Sequence, residues 1–363
     1  MFYNVDLYFE DSYNVEPRAN LLRQRRFIRD YSNPMELPST VFTANFRLSK
    51  DAFMYVLDKI KDKFNCRLSS SVTPMLKLCC ALRFFAHGSY QQAVGNEFQL
   101  GLAQPTVSLI LKEVLPILER EICSASIITE MTEEEKQQAR SKFFSRSGIP
   151  NVIGCVDGTH IAIYAPTANR HLYLNRKGFF SLNAMIACDH DMNIRFVDAR
   201  YAGSTHDSFV WNNSSLKTYL ENMHQSGDYN SIYLDYLFIG DSGYPLSPYL
   251  LTPFRHADSR TRESIFNKKH AKARNVVERT IGVLKCRFRC PLSDRKMRYD
   301  PAKATSIINI CCAFHNICKK FRISDPEEAE IFIDTVVSSE PISEDANNTS
   351  GERRRRQIAD ALL

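Results

Sequence analysis

The sequence predicts an α/β fold class, with one mixed central sheet flanked by helices and an all-α, helix-turn-helix-like region ahead of it. Three observations predict this. Residues 37–147 carry apolar residues at helical spacing, residues 148–322 open on β-rich runs such as "VIGCVDGTHIAIYAP", and the helical period returns from "SRTRESIFNKKHAKARNVVERTIGVLKCRF" onward. A chain of 363 residues with 44% hydrophobic content can bury a sizeable core. It contains no run of about 18 or more apolar residues. Its first residues, "MFYNVDLYFEDSYNVEP", carry acids where a signal peptide carries basic residues before an apolar stretch. An intracellular protein without membrane contact is therefore expected.

Taken in order, residues 1–36 show charge and aromatics without sustained period and read as an N-terminal extension, with "NPMELPST" as a linker. In "FRLSKDAFMYVLDKIKDKF", Phe53, Val56, Leu57 and Ile60 form a helical stripe, with Ser49 placed to cap it and Asp51 in the first turn. The run "PMLKLCCALRFFAHGS" is apolar nearly all round, which suits a buried helix. Next, "SYQQAVGNEFQLGLAQPTVSLILKEVLPILERE" divides into a short helix over Tyr90 to Phe98, a Gly-containing turn, and a second helix opening at Gln104 with Pro105 in its first turn. That layout makes Gln104, Thr106 and Ser108 candidates for contact with the DNA major groove, although helix pairs of this kind also serve purely as packing units.

A charged helical linker, "TEEEKQQARSKFFSRSG", leads into the β-rich region. "SLNAMIACDHDMNIRFVDARYAGSTHDS" reads as two strands joined by a hairpin turn near His190 to Asn193, and "YLFIGDSGYP" as a further strand. Residues 208–230 read as helix or loop. The later helix carries Val276, Val277, Ile281 and Leu284 as its apolar stripe. Residues 323–363 turn acidic and polar, then basic, and are expected to form a flexible tail.

Net charge is +6, and the basic residues cluster: "RANLLRQRRFIR", "NRKGFF", "NKKHAKARNVVERTIGVLKCRFRC" and "ERRRRQ". Such runs suit polyanion partners, DNA first, or else solvated helix faces. The eleven cysteines lie mostly in apolar segments and read as reduced core thiols. Cys286, Cys290, Cys311, Cys312, His315 and Cys318 are the one grouping with a metal flavour, yet it lacks the paired C-x2-C knuckles of a zinc site.

The acids carry the sharper signal. Asp241 follows the apolar run "YLFI" and Gly240 at a strand's end, Asp157 interrupts "NVIGCV" and a Gly, and Glu278 borders the stripe of Val277 and Ile281. Ionised carboxylates at the edge of a core are costly unless paired or bound to metal. Mg2+ fits such a set, because it takes hard oxygen ligands and retains waters. A pair of such ions serves in-line displacement at phosphorus, which implies phosphodiester cleavage or strand transfer. Bland roles exist beside these: a turn aspartate for Asp157, a helix cap for Asp207, an ion pair with Arg274 or Arg279 for Glu278. Asp189, Asp191 and Asp198 read as hairpin or surface acids, and Trp211 as core.

"GCVDGTHIAI", "YLNRKGFFSLNAMIACD", "GSTHDS", "GDSGYPL" with "LLTPF", and "ARNVVERTIGVLKCRFRC" followed by "CCAFHN" together resemble the Harbinger (PIF) family of transposases and the nucleases derived from them. Each motif alone is weak, but their order over residues 150–320 is specific. The resemblance implies an RNase H-like catalytic domain over 148–322, in which Asp157, Asp241 and Glu278 form a catalytic Asp-Asp-Glu set for Mg2+ or Mn2+. It makes Asp207 of "GSTHDS" a further metal ligand candidate. Arg274 and Lys285, four and seven residues from Glu278, share its helix face and are candidates to orient the carboxylate and contact DNA phosphate, as are Arg176 and Lys177 of "NRKG". Where related bacterial elements often have a Tyr three residues before the Arg, this chain has Ala271, a departure that touches no ligand. The family further implies a separately encoded Myb-like DNA-binding partner and a nuclear location, with the cytoplasm as a second location. Self-association into a homo-oligomer stays open, and so does the alternative of a catalytically silent DNA- or protein-binding factor.

Overall fold

A computed structural model of the chain describes residues 15–31, 33–64, 72–88, 91–96, 100–226, 236–291, 296–326 and 349–362. Eight helices precede the sheet in this part of the chain: α1 (Val15–Tyr31), α2 (Ser39–Phe46), α3 (Lys50–Ile60), α4 (Pro74–His87), α5 (Gln91–Gly95), α6 (Gln104–Leu118), α7 (Ser124–Ser126) and α8 (Glu133–Ser147). Ser49 caps α3 and Thr73 caps α4, each accepting a backbone N–H three residues on. Thr132 and Glu135 form a reciprocal capping box on α8. This last helix is no mere linker, since Ala139 and Phe143 are buried and it packs along the first strand.

The catalytic-candidate region follows as β1 (Val152–Ala162), α9 (Arg170–Tyr173), β2 (Ser181–Cys188), β3 (Ile194–Ala202), α10 (Asp207–Asn212), α11 (Ser215–Ser226), β4 (Leu237–Ile239), β5 (Leu250–Leu251), α12 (Arg262–Arg287) and α13 (Pro301–Lys320). The five strands form one mixed sheet in the order β3-β2-β1-β4-β5. β1, β2 and β3 pair antiparallel, while β4 runs parallel to β1 and β5 parallel to β4. The fold class is thus mixed α/β, a five-stranded mixed sheet with helices before and after it.

β2 is buried along its whole length, a continuous apolar strand with both faces covered. α12 lies against β1 and β2: the Cys155 thiol donates to the Ala273 carbonyl at 3.3 Å, and Thr280 meets Cys188 at 3.3 Å. α13 runs along β3, where Asn316 clamps the strand by accepting from the Ile194 N–H and donating to its carbonyl. One continuous core reaches from Phe42 on α2 through the sheet to Ile358. Phe85, Phe288 and Phe314 stack where the early helices meet α12 and α13. The change of texture near residue 148 therefore marks a change of secondary structure inside one shared core.

Two stretches differ from expectation. Residues 15–31, which show no sustained period, form the helix α1. Within the tail expected to be flexible, Thr349–Ala361 form a helix, α14, which packs on α12 and β5. Arg355 of the "ERRRR" run explains the latter: it donates to the carbonyls of Thr252 and Pro253 and stacks on Phe254 at 4.1 Å. Tertiary docking supplies what the polar sequence does not advertise. Residues 1–14 and 327–348 lie outside the described part.

The cysteine and histidine grouping is spread through the core. Cys290 and Cys311 touch at 3.4 Å, Cys318 donates to the Arg47 carbonyl, and the buried His315 ring bonds the Met192 carbonyl at 2.8 Å. Burial raises the thiols of Cys312 and Cys318 and lowers His315 to about 3, as expected of packed core groups.

Candidate active site

Parallel pairing brings Asp157, within β1, toward Asp241, just past the end of β4. Cys155 of β1 lies beside Ile239 of β4, and two residues on along each strand's path come Asp157 and Asp241, whose charge acts on Asp157. Cys155 turns its thiol toward α12. Both aspartates are buried, at 7% exposure each. The strand β4 ends at Ile239, and Asp241 Oδ1 accepts from the Gly243 N–H at 2.9 Å in the turn that follows.

Asp207 arrives from the start of α10. It occupies the first helical position, after His206 at the cap position, so it is not itself the cap. Its Oδ1 accepts from the Asn183 amide at 2.7 Å, and its carboxylate lies over Gly158, where an added Cβ would come within 2.6 Å of Oδ1. Gly158 leaves the space that lets Asp207 approach β1. Glu278 arrives from α12 and forms a short ion pair with Arg274, one turn earlier. The Arg274 guanidinium also stands 3.7 Å from Asp157. The charges of Asp241, Asp207 and Glu278 all act on Asp157, so the four acids named by the sequence are electrostatic neighbours.

Asp157 and Asp207 are both held above the ordinary carboxylate range. Burial pushes the Asp157 carboxyl up to about 7 against the pull of Arg274, and the charges of Asp241, Asp207 and Glu278 add to the rise. Burial likewise pushes Asp207 up to about 6, opposed by the Asn183 hydrogen bond and raised further by Asp241. Buried acids of this kind lack enough positive charge, which is the condition a divalent cation relieves. The oxygen-only donor set, carboxylates without thiolates, fits Mg2+ or Mn2+. Even so, no three His, Cys, Asp or Glu side chains among the described residues converge into a ready cage. Each carboxylate is instead turned onto a local donor: Gly158 N–H for Asp157, Asn183 for Asp207, Gly243 N–H for Asp241 and Arg274 for Glu278.

A cationic rim adjoins the acids. Between β1 and β2, the buried Asn175 accepts from the N–H groups of Lys177 and Phe179, and Gly178 takes a left-handed φ of 79°. This tight turn holds Arg176 and Lys177 out in solvent. Arg176 donates to His206 Nδ1 at 2.7 Å. Lys285, two turns past Glu278, donates to Thr159 Oγ1 at 2.6 Å, and burial together with Lys177 lowers it to about 8. His160 shares this corner, bonded to Ser181 at 3.1 Å and lowered to about 4 by burial and by Lys177, Lys285 and Arg176. Asn183 and Thr159 carry no signal in the sequence, because their roles rest on partners far along the chain, Asp207 and Lys285.

The other candidates lie elsewhere. Gln104 is exposed at the start of α6 and donates to Gln91 of α5, while Thr106 and Ser108 are partly exposed on the same helix. Trp211 is fully buried against Tyr244. Asp189 is buried and pairs with Arg195, and Asp198 pairs with Arg200, so neither joins the pocket.

Comparison with known proteins decides the family. Residues 156–316 match the DDE superfamily endonuclease family. The chain is 34% identical to the nuclease-named HARBI1 protein of Rattus norvegicus over 250 residues, covering 69% of this chain and 68% of that protein. The chain belongs to the Harbinger transposase-derived nuclease family. The HARBI1 protein of Homo sapiens is equally similar, at 34% over 251 residues. An ALP1-like protein of Arabidopsis thaliana is 29% identical over 291 residues, 76% of this chain and 70% of that one. No solved structure gives a significant match. Within the matched stretch lie Asp157, Asp207, Asp241 and Glu278. Among the described residues no helix is long and apolar enough to cross a membrane.

Proposed function

We propose that this member of the family is a divalent-metal-dependent DNA endonuclease whose sheet and α12 form an RNase H-like catalytic domain. The observation that carries the reading is the approach of Asp207, Asp241 and Glu278, from separate parts of the fold, to the buried Asp157. In this reading Asp157, Asp241 and Glu278 are the catalytic acids, and with Asp207 they hold Mg2+ or Mn2+. When bound, the ions polarise the scissile phosphate and lower the pKa of the attacking water.

The chain's own residues do the rest. Asp157 and Asp241 face the reacting phosphate from a rigid sheet, which limits the reorganisation their carboxylates undergo. Arg274 fixes the Glu278 carboxylate and screens its repulsion with Asp157. Arg176 and Lys177, held out by the Asn175 turn, take the phosphates flanking the cut, while Lys285 steadies Thr159 at the base of the rim. α5 and α6 form the helix-turn-helix, with Gln104, Thr106 and Ser108 toward the major groove. DNA is the substrate, the nucleus the site of action, and a Myb-like protein a candidate partner.

A second reading, a silent binding factor, draws on one observation. The guanidinium of Arg274 already stands among the acids, and no cage is preformed. Calorimetric titration with Mn2+ and Mg2+ separates the two. Saturable binding that disappears in Asp157→Asn and Asp241→Asn supports the enzyme, and absence of binding in the unmodified protein supports the silent factor.

A further inference from the structure

On the opposite side of α12 a second charged site is built from residues that the nuclease reading does not use. Arg287 follows Glu278 by nine residues, which is two and a half helical turns, so it projects from the face opposite Glu278 and about 13 Å further along the axis. There it borders a cavity of about 650 Å3 with Ser39, Thr40, Thr43, Arg47 and Arg289. This volume lies in the range of small-ligand sites.

Arg287 is the central observation. Its residue is 2% exposed, and its Nη2 is spent on the carbonyls of Ile323 and Ser324 and on Asp325 Oδ1 at 3.1 Å. Its Nη1 is buried and has no hydrogen-bond partner among the described residues. A buried guanidinium nitrogen left unsatisfied is costly, and the planar fork of arginine matches an oxyanion. The surroundings point the same way. Ser39 and Thr40 are the first two residues of α2, where backbone N–H groups at a helix start favour negative charge, and Thr43 adds a hydroxyl. The guanidiniums of Arg47, Arg287 and Arg289 all line the cavity, and Asp325, which Arg287 bonds, is also approached by Lys319 at 3.8 Å. Among the described residues the lining is cationic, and the hydroxyls add further donors.

We infer that this cavity binds a phosphate-type oxyanion, carried either by a free polyphosphate or by the terminal phosphate of a nucleic-acid strand. Three arginines and helix-start donors recognise the phosphate group itself, whatever bears it. The site is separate from the acid pocket and works without a divalent metal.

The test is calorimetry on the full-length chain in EDTA with pyrophosphate as the probe. Saturable binding is expected, unchanged in Asp157→Asn and weakened about tenfold or more in Arg47→Asn/Arg289→Gln, since each charged hydrogen bond lost is worth that order. Arg47 sits at a left-handed φ of 63° that asparagine tolerates, so this variant keeps the α2 cap, whereas Arg287→Ala also removes the tether to residues 323–325. Competition by a 5′-phosphorylated oligonucleotide, but not its unphosphorylated twin, assigns the strand end as the source. Equal lack of competition assigns the free polyphosphate. Absence of saturable pyrophosphate binding, or equal affinity in the double variant, overturns the inference.

Discussion

Asp157 is held in a position that costs stability in the absence of a cation. Its carboxyl is pushed up to about 7 by burial and by three neighbouring acids, while in the unfolded chain it titrates near about 3.9. Between those values the folded protein binds more protons than the unfolded chain, so stability falls as pH rises through that window. Asp207, pushed up to about 6, adds to the fall over the lower part of it. In metal-free buffer at pH 8, Asp157→Asn should therefore melt at least a few degrees above the unmodified protein, with the two converging near pH 4. Thermal melts over this range check it, and a lower melting temperature for Asp157→Asn at pH 8 would contradict the charge-frustrated pocket. Gly158 offers a companion test at the same scale. An alanine Cβ there would meet the Asp207 carboxylate at 2.6 Å. Gly158→Ala should thus displace Asp207 and weaken metal binding while leaving the melting temperature within a few degrees.

At the scale of elements, the interlocked helices make a stability prediction and a binding prediction. Phe314 on α13 is fully buried between Phe85 and Phe288, so it ties the early helices to the sheet. Phe314→Ala should cost about 3–5 kcal/mol in chemical denaturation, and a loss below about 1 kcal/mol would show that the two regions are not mutually dependent. Placing α6 on the major groove makes Ser108→Glu a probe: the added charge should weaken DNA binding in gel shifts, more steeply at low salt, without altering metal affinity. Much of this element order was legible from local pattern. Ser49 before a stripe at Phe53, Val56 and Ile60 marks α3, and the run around His190 to Asn193 marks the β2–β3 hairpin. α1 and α14 were not legible, because their stability rests on docking: Gly101, at a φ of 53°, packs against the Arg25 carbonyl, and Arg355 reaches the Thr252 and Pro253 carbonyls. No periodicity in a polar segment encodes such long-range partners.

For the whole molecule, the identity of the four acids could be read from their motifs, but their meeting could not. Asp157 and Asp207 are fifty residues apart, and β5 and more than half of α12 separate Asp241 from Glu278; strand order β3-β2-β1-β4-β5 and the packing of α12 bring them together. Sequence spacing gives Arg274 as a helix neighbour of Glu278, while its approach to Asp157 is a tertiary fact. A basic rim held by the Asn175 turn beside an acid pocket is the arrangement expected of a protein that grips a polyanion backbone and acts on one phosphate within it. The most direct measurement is cleavage of supercoiled and linear DNA by the purified full-length chain, with Mg2+ or Mn2+ supplied and then removed by EDTA. Metal-dependent cleavage that Asp241→Asn and Glu278→Gln abolish, with melting temperatures preserved, is the predicted result. Cleavage that persists in EDTA or in both variants would contradict the account.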